Sequence, residues 1–388
     1  MKLIFNKSTL QKAIAPALCA IASNTSIPAT EGIQFKADDM SNQCQLTSFD
    51  LSKGVRSTIE AQVIKGGCVI INASKLSQIV KAMPGDITID VDSNYVAKIS
   101  SGRSEFSIHV LPGEDFPNLP ELRGDRGFEI SQKTLKKMIS QTIYAAAIND
   151  MRPALNGEFI KIQDNQITMV SCDSFRIAIK EEISEIGNKC AEKGEMNFSF
   201  IVPTKTMSEL HRLLSDDEDA KVTVLLSRKH VIFFLDDLIF FSRLIDSEYI
   251  DYARFIPNEF KTTCIIEKDE LLGSLERASL VTEDRTLGQE KGPVKLSFQE
   301  NSLVVSSVSV SGTSFDEIHT QNTGDMLTIG FNCRYLMDSI RATDSEKIKL
   351  SLISPLMSMI VEPVYGEDEN PSGKFIFAVT PVRMKDTK

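Results

Sequence analysis

A fourteen-residue pattern occurs three times along the chain at nearly even spacing, and this repeat constrains the fold more than any other feature. The copies are IVPTKTMSELHRLL from Ile201, IINASKLSQIVKAM from Ile70 and IGFNCRYLMDSIRA from Ile329. Each has a short apolar run, a small or capping residue, a basic residue and then apolar residues at helical spacing. This order predicts a strand followed by a helix. A chain with three such copies is predicted to form three similar domains.

A second repeated pattern opens each third of the chain, from Phe5, Ile130 and Ile266, and it also predicts a strand and then a helix. Alternating segments such as ITIDVDSNYVAKIS and KVTVLLSRKHVIFFL predict antiparallel strands. A chain of 388 residues is too long for one ordinary core. We predict an α+β fold with three domains, 1–127, 128–257 and 258–388. The six predicted helices cover residues 7–22, 74–83, 131–147, 204–214, 267–280 and 332–342.

The helices of the fourteen-residue pattern are predicted to begin with a capping residue and a cation. Three pairs occupy these positions: Thr204 with Lys205, Ser74 with Lys75, and Asn332 with Arg334. A cation near a helix N-terminus opposes the macrodipole, at a cost of a few tenths of a kcal/mol. These cations are therefore either solvated side chains or residues with another use for positive charge.

Composition and motifs exclude several classes of protein. No apolar run approaches the roughly 18 residues of a membrane span, and Met1–Phe5 does not read as a signal peptide because Asn6 and Lys7 follow at once. We expect a cytoplasmic protein without a membrane partner. Seven cysteines without a Cys-x-x-Cys pair favour reduced thiols, and four scattered histidines give little support to a metal site. Nucleotide-binding glycine motifs do not occur, so no cofactor is expected.

Charge is distributed unevenly along the chain. The net charge of -10 would by itself count against nucleic acid. The predicted helices nevertheless carry thirteen basic and six acidic residues, about +7, which leaves about -17 for the remaining residues. This segregation is typical of a surface that attracts phosphates on a body that repels them. The fifth helix has four acidic residues and is expected to contribute less.

Six further motifs, in order along the chain, resemble those of the bacterial sliding clamps, the beta subunits of DNA polymerase III. They are SFDLSKGV (48–55), LPGEDFPNLPEL (111–122), RPALNGEF (152–159), CDSFRIA (172–178), DYARFIP (251–257) and TPVRM (380–384). The resemblance implies a non-catalytic processivity factor, a head-to-tail homodimer that closes a ring around double-stranded DNA with its helices lining the hole. It also implies protein partners: the polymerase III alpha subunit, the delta subunit of the clamp loader, and other replication and repair proteins.

Simple geometry agrees that one chain is too small to enclose DNA. Six helices packed about 10 Å apart would leave a hole of only roughly 10 Å once their radii of about 5 Å are subtracted. Twelve helices would leave roughly 28 Å by the same reasoning. A duplex whose major groove alone is about 12 Å wide and 8.5 Å deep does not thread the smaller hole. Two chains are therefore expected in the ring.

The resemblance directs the helix cations and three loop residues toward DNA. Lysines suit a sliding contact because they attract phosphates without forming bidentate hydrogen bonds to the edges of bases. For each cation taken alone, a solvated surface residue is the competing interpretation. The predicted DNA-facing residues are Asn24, Lys7, Lys12, Lys75, Lys81, Lys133, Lys136, Lys137, Asn149, Arg152, Lys205, Arg212, Arg334 and Arg341.

For the dimer interface, the resemblance indicates Arg103, Phe106 and Ile108 of the alternating segment RSEFSIHVL. They would meet Leu280 and Val281 of the partner subunit, in a heterologous contact that makes a ring when its rotation closes. The competing interpretation is that Phe106 and Ile108 belong to the core of their own domain.

The resemblance also implies a pocket between the second and third domains for an extended peptide that carries a Gln and a hydrophobic pair. Its predicted residues are Leu155, Cys172, Ser174, Phe175, Arg176, Ile177, Arg254, Phe255, Tyr335, Leu356, Ser358, Val379, Pro381, Val382, Arg383 and Met384. The chain departs from the family at Cys172, Ser174 and Phe175, where Thr, Gly and His are common, and at Ile250, where Pro is common. It also continues past Met384 to Lys388, so its peptide preference is expected to differ.

Two other functions compete with this interpretation. In an enzyme, Cys172 beside Asp173 would be the nucleophile, but a cysteine is more often a small buried apolar residue. An acidic interaction scaffold would share the peptide pocket but would have no reason to collect thirteen basic residues on its helices.

Overall fold

The structure is a computed structural model that describes residues 1–23, 25–190, 196–257, 259–282, 293–309, 312–366 and 373–383. Six α-helices lie within this part of the chain, one at each predicted position. They are α1 (Lys7–Ala17), α2 (Ala73–Ala82), α3 (Gln132–Thr142), α4 (Thr204–Leu213), α5 (Lys268–Thr282) and α6 (Cys333–Arg341). The first and third helices end five residues earlier than predicted, because the chain tightens into 3-10 turns at Leu18–Ala20 and Ile143–Ala145.

The strands account for most of the remaining structure, and within each third they repeat a similar order. The first third has β1 (Lys2–Phe5), β2 (Gly32–Ala37), β3 (Gln43–Phe49), β4 (Lys53–Glu60), β5 (Gln62–Lys65), β6 (Gly67–Asn72), β7 (Ile87–Val91), β8 (Val96–Ser101), β9 (Ser104–His109) and β10 (Leu111–Pro112). The second third has β11 (Arg126–Ser131), β12 (Gly157–Gln163), β13 (Gln166–Cys172), β14 (Arg176–Ile183), β15 (Gly187–Asn188), β16 (Asn197–Pro203), β17 (Lys221–Leu226), β18 (His230–Leu235) and β19 (Leu238–Arg243). The last third has β20 (Thr262–Glu267), β21 (Val294–Phe298), β22 (Ser302–Ser309), β23 (Gly312–His319), β24 (Gln321–Gly324), β25 (Leu327–Phe331), β26 (Lys347–Leu352), β27 (Met359–Val364) and β28 (Gly373–Val379).

The first of two compact units comprises residues 1–133, 187–194 and 209–244. It has an antiparallel five-stranded sheet in the order β5-β1-β7-β8-β9, and a ten-stranded sheet in the order β10-β6-β2-β3-β4-β19-β18-β17-β11-β15. Helices α1 and α2 pack against each other and bury Leu10, Ile14, Leu76 and Val80 in a core shared with the strands. The apolar positions at helical spacing are the ones that are buried, as the sequence predicted.

The second unit comprises residues 134–186, 195–208 and 245–388. Its nine-stranded sheet has the order β16-β12-β13-β14-β28-β27-β26-β20-β24, and its four-stranded sheet has the order β23-β22-β21-β25. Helices α5 and α6 pack together and bury Leu271, Leu275, Leu336 and Ile340. This division by contacts passes through the predicted central domain, so the boundaries near residues 127 and 257 stay predictions.

The helix caps are partly as predicted. Asn332 caps α6, because its side-chain oxygen accepts from the backbone N–H groups of Arg334 at 3.1 Å and Tyr335 at 3.3 Å. The prediction that Ser74 caps α2 was wrong: Asn72 does so by accepting from the Lys75 N–H at 3.1 Å. Thr204 is the first residue of α4, and its hydroxyl donates to the Asn156 carbonyl at 2.8 Å.

An acidic run in a sequence is most simply a solvated loop. The run at residues 216–219 is such an exposed loop, whereas the run at 367–369 lies outside the described residues. Within the described ranges, no helix combines the length and the apolar character needed to cross a membrane.

Candidate functional site

An apolar groove of about 490 Å³ lies at the surface of the second unit. Three short segments line it: the turn at 254–257, the loop 355–358 that joins β26 to β27, and residues 380–383, which follow β28 directly. Phe255 and Leu356 expose 54% and 81% of their surface here, and Arg254 and Arg383 add positive charge. Exposed aliphatic and aromatic side chains with a few polar groups are typical of a site for an extended peptide.

Hydrogen bonds to the backbone hold the last of these segments in place. The backbone N–H and the hydroxyl of Thr380 donate to the Phe175 carbonyl at 2.8 and 2.9 Å. Two residues later, the Val382 N–H donates to the Gly330 carbonyl at 2.8 Å. The wall of the groove therefore depends on the turn that contains Phe175.

That turn, Asp173–Arg176, is closed by a carboxylate. One side-chain oxygen of Asp173 accepts from the N–H groups of Phe175 and Arg176, both at 3.0 Å. Ser174, between Asp173 and Phe175, has φ of 76°, a left-handed conformation that costs free energy for a residue with a Cβ. The turn presents the Phe175 side chain to solvent, 56% exposed, with its ring centroid 6.1 Å from that of Tyr335.

Arg176 ties this turn to two helical segments. Its guanidinium donates to Asp173 at 2.9 Å and to Asp338 of α6 at 2.8 Å, and it lies 4.4 Å from the centroid of the Tyr335 ring and 5.3 Å from that of Tyr144. Burial alone would lower the pKa of Arg176, but the two carboxylates raise it above its ordinary value. The side chain is only 11% exposed, so its role is to stabilise the turn against α6.

The structure divides the predicted peptide-binding residues into three sets. Lining the groove are Arg254, Phe255, Leu356, Ser358, Pro381, Val382 and Arg383. In the adjoining turn and its contacts are Ser174, Phe175, Arg176 and Tyr335. Buried below 10% exposure are Leu155, Cys172, Ile177 and Val379. Met384 lies outside the described residues. The sequence analysis missed four lining residues, of which Thr380 and Pro257 lie in the quoted motifs and Pro355 and Met357 carry no sequence signal.

Cys172 is not placed for nucleophilic chemistry. It is 3% exposed, and its sulfur accepts from the Ser174 N–H at 3.4 Å. Burial raises the pKa of the thiol, which disfavours the thiolate that a nucleophile requires. Among the described residues, no group of three His, Cys, Asp or Glu side chains is arranged to hold a metal ion.

The six helices carry positive charge within the bounds that the structure gives them: thirteen basic and five acidic residues, a net +8. Helix α5 is the exception that the sequence predicted, because it has three acidic and two basic residues. Both of its cations have partners: Arg277 pairs with Asp316 at 2.7 Å, and Lys268 donates to the Thr343 carbonyl at 3.2 Å. Asp316 has a lowered pKa because it accepts from Arg277, so the ion pair persists at neutral pH.

The predicted DNA-facing cations differ in how freely they reach solvent. Five are exposed and form no ion pair with the part of the chain that the structure describes: Lys12, Lys75, Lys81, Lys205 and Arg334. Four others pair with carboxylates: Lys133 with Glu218, Lys137 with Asp344, Arg212 with Glu209 and Arg341 with Glu276. Lys136 is half-buried and has a partner. Lys7 is half-buried and donates to the Lys81 and Met83 carbonyls at the end of α2, so it serves the fold first.

The predicted loop residues are arranged differently from the helix cations. Asn24 lies outside the described residues, and Asn149 is exposed with φ of 57°. Arg152 forms a two-pronged pair with Asp150, at 2.9 and 3.0 Å, and also donates to the Ser174 hydroxyl. The structure thus brings Arg152 to the turn beside the groove.

Two edge strands carry the predicted dimer residues or lie close to them. Arg103, just before β9, and Phe106, within β9 at the edge of the five-stranded sheet, are exposed, while Ile108 packs partly against the core of its own unit. In the second unit, Leu280 of α5 is 79% exposed and Val281 is half-buried. The edge strand β23 adds Phe315, 71% exposed, which the sequence analysis missed because an alternating pattern does not tell an edge strand from an inner one.

Comparison with known proteins gives consistent matches along the chain. Family models of the DNA polymerase III beta subunit match its N-terminal domain to residues 1–120, its central domain to 129–251 and its C-terminal domain to 253–372. The beta sliding clamp of Staphylococcus epidermidis is 30% identical over 360 residues, which cover 89% of this chain and 91% of the relative. The beta sliding clamp of Bacillus subtilis is 27% identical over 373 residues, 93% of this chain and 95% of the relative. A crystal structure of the DNA polymerase sliding clamp from Bacillus subtilis matches with a TM-score of 0.89 at 26% identity, over 99% of this chain and all of that one (100%).

Proposed function

This chain belongs to the family of bacterial DNA polymerase III beta subunits, the sliding clamps that serve as processivity factors in replication, and from that premise we propose how its own residues do this work. Two copies associate head to tail as a ring around duplex DNA, each with three domains, 1–127, 128–257 and 258–388. The ring has no catalytic role and acts in the cytoplasm, where it tethers other proteins to the DNA.

The observation that carries the proposal is the net +8 of the helices in a chain whose total charge is -10. Lys12, Lys75, Lys81, Lys205 and Arg334 are the cations with the freest reach toward phosphates. Their attraction is long-ranged and independent of base sequence, so it holds DNA near the middle of the ring without fixing the ring at one site.

Ring closure is proposed to join the β9 edge of one copy to the α5 and β23 region of the next. Exposed Phe106 on β9, and exposed Leu280 and Phe315 on the other side, supply apolar surface that a closed interface would bury. Unpaired edge strands supply backbone donors and acceptors for the same contact.

The apolar groove is proposed to bind peptides of the polymerase III alpha subunit, the clamp-loader delta subunit and other replication and repair proteins in turn. Phe255, Leu356 and Val382 would receive apolar side chains of the peptide. Arg254 and Arg383 would pair with acidic residues or backbone carbonyls at its ends.

The test is retention on nicked circular DNA after ATP-driven loading by a clamp loader, with a reaction lacking ATP as the control for loading. Protein that encloses DNA stays on the circle and is released when a restriction enzyme linearises it. A triple variant Lys12→Glu, Lys75→Glu, Lys81→Glu should lose most of its loading. The matched control Lys36→Glu, Lys65→Glu, Lys229→Glu makes the same charge change at exposed residues outside the helices and should load normally. ATP-dependent retention that ignores the cut would contradict enclosure and favour a scaffold without a ring.

A further inference from the structure

A second concave site, separate from the groove, lies in the first unit and has a volume of about 890 Å³. One of its walls is a face of α1 that includes Lys12, Ala13 and Pro16. The end of β4, at 57–60, and the turn between β18 and β19, at 235–238, form much of the rest. We call this site the α1 cleft. Its volume falls within the range of roughly 300–1,000 Å³ that is typical of ligand sites.

The α1 cleft combines an apolar lining with unpaired negative charge. Ala13 and Leu235 are buried in the lining, while Glu60, Asp236 and Asp237 are exposed there. The side chains of these three acidic residues form no ion pair with the part of the chain that the structure describes. With the ammonium group of Lys12 included, the lining carries a net charge of -2. Carboxylates beside apolar surface suit a cation that is carried on an aliphatic stem.

A buried hydroxyl of the α1 cleft also lacks a partner. Ser57 on β4 is 5% exposed, and its Oγ makes no hydrogen bond with any residue that the structure describes. Ser57 shares a face of β4 with Ile59, which packs against the core that contains α1, so its side chain points toward the cleft. Its partner on β19 is Leu238, which directly follows Asp237. A buried hydroxyl without a partner costs free energy, and a ligand N–H donor would satisfy it.

The second unit shows how an ammonium group is held beside the matching helix. Lys137 is the sixth residue of α3, as Lys12 is the sixth residue of α1. The Lys137 ammonium pairs with Asp344, three residues after α6, at 2.5 Å. The hydroxyl of Tyr365, the first residue after β27, donates to the same carboxylate at 2.9 Å. A lysine of the chain itself therefore meets a carboxylate there.

The first unit does not make this contact. The segment after α4 places Ser215 at the α1 cleft, and a serine hydroxyl lacks the charge of Asp344. The first residue after β18 is Asp236, a carboxylate where the second unit has a tyrosine after β27. Lys12 is exposed and forms no ion pair with the described residues. The α1 cleft thus has acceptors for an ammonium group that the described chain does not supply.

We propose that the α1 cleft binds a lysine side chain of a partner protein. The aliphatic stem lies against the apolar lining, and the ammonium group lies among Asp236, Asp237 and Ser57. A lysine ammonium donates three hydrogen bonds, and two carboxylates and one hydroxyl accept them. Glu60 adds a further negative charge to the lining. The site does not depend on the proposed peptide groove, which lies in the second unit.

The experiment measures peptide affinity by fluorescence polarisation on the full chain at low salt. The probe is the rhodamine-labelled peptide Ser-Leu-Lys-Leu-Ser, and its control carries acetyl-lysine, which keeps the stem but loses the charge. The protein variants are Asp236→Asn with Asp237→Asn, and Ser57→Ala. Asparagine accepts the left-handed φ of 47° at position 236, so the turn is preserved.

The matched control variant is Glu114→Gln with Asp115→Asn, which removes two exposed carboxylates elsewhere in the first unit. The midpoint of urea denaturation of each variant checks that its fold is intact. Unlabelled peptide and free 1,5-diaminopentane are compared as competitors, because a small amine carries the same ammonium group as a lysine.

The lysine peptide should bind the parent and the control variant roughly tenfold more tightly than the acetyl-lysine peptide. The double Asn variant should lose this difference, and Ser57→Ala should reduce it roughly threefold. Equal affinities of the parent for the two peptides would overturn the proposal, as would a double Asn variant that keeps the difference. Loss of the difference in the control variant would do so too, because overall charge would then explain it. If 1,5-diaminopentane displaces the probe at a lower concentration than unlabelled peptide does, the ligand is a small amine and the protein partner is overturned.

Discussion

Two turns, one in each unit, have the same arrangement of hydrogen bonds but differ in the contacts that their basic residue makes. In the first unit, Asp50 accepts from the Ser52 and Lys53 N–H groups at 2.9 and 2.8 Å and pairs with the Lys53 ammonium at 3.0 Å. Leu51 has φ of 74°. In the second, Asp173, Ser174 and Arg176 repeat this arrangement at the corresponding positions.

The difference lies in the basic residue. Lys53 is 3% exposed and its ammonium ends at the Cys19 carbonyl, so it closes the turn onto one neighbouring segment. The Arg176 guanidinium has enough donors to reach Asp338 while it holds Asp173, and it stacks near two tyrosine rings. The same kind of turn thus closes onto one neighbouring segment in the first unit and joins several elements in the second, where it lies beside the groove.

Replacement of Arg176 should produce the largest effect. Arg176→Leu leaves Asp173 and Asp338 partly buried without their partner, and should lower the free energy of unfolding by about 4 kcal/mol. Arg176→Lys keeps one pairing and should cost less than half of that. Urea denaturation of the parent and both variants measures the order. Equal losses for Leu and Lys would mean that the one pairing that lysine keeps contributes nothing, and that the junction depends on the contacts that only a guanidinium makes.

One buried or half-buried carboxyl group in each unit should respond to pH in opposite directions. Burial raises the pKa of Glu158 on β12 to about 8, although Thr142 donates to it, so folding favours its protonated form. This stabilisation is complete below the unfolded pKa near 4.5 and is lost as the pH rises toward 8, with roughly 3.5 kcal/mol of the change falling between pH 5 and pH 8. Asp50 has a lowered pKa: burial would raise it, but its hydrogen bonds and Lys53 prevail, so its contribution is lost only as the solution becomes acidic.

Stability measured at pH 5 and pH 8 for the parent and Glu158→Gln would test this contrast. Between pH 5 and pH 8, the free energy of unfolding of the Glu158→Gln variant should fall much less than that of the parent. An equal fall in both proteins would mean that other groups cause it.

Exchange of the basic residue in the first turn should have a smaller effect. Lys53→Arg adds atoms to a site with 3% exposure, and we expect a loss of about 2 kcal/mol in the free energy of unfolding from overpacking. If Lys53→Arg leaves the free energy of unfolding unchanged, lack of space for a larger side chain is not the reason that the first turn has Lys where the second has Arg.

The smallest effect is expected at the contact between the second turn and the groove. Thr380→Val removes the hydroxyl bond to Phe175 and keeps the backbone bond, so peptide affinity should fall roughly fivefold, about 1 kcal/mol. Thr328→Val, which removes an exposed hydroxyl from β25, serves as the control. Identical peptide affinities for both variants would mean that the hydroxyl bond from Thr380 to Phe175 is not needed to hold residues 380–383 in the wall of the groove.

Sequence could predict the elements because apolar periodicity is local. All six helices lie where periodicity predicted them, and the exception of α5 was visible in its acidic residues. The choice of Asn72 over Ser74 as a cap was not predictable, because either residue type can serve. The contacts of Arg176 and Thr380 could not be predicted for another reason, which is their separation in sequence. Arg176 contacts Asp338, 162 residues away, and Thr380 contacts Phe175, 205 residues away. Family resemblance named most groove residues, but only the structure separates exposed ones such as Leu356 from buried ones such as Leu155.

The position of the groove at the end of β28 has a mechanical consequence. This strand pairs along its length with β14, from Arg176–Val379 to Glu182–Gly373, and on its other side with β27. A partner that pulls on residues 380–383 along the strand would load these hydrogen bonds in shear, so that many must yield together. A pull across the sheet would instead open them one at a time. We expect the attachment to be strongest when the load follows the strand, which could be measured by pulling a groove-bound peptide in the two directions with optical tweezers.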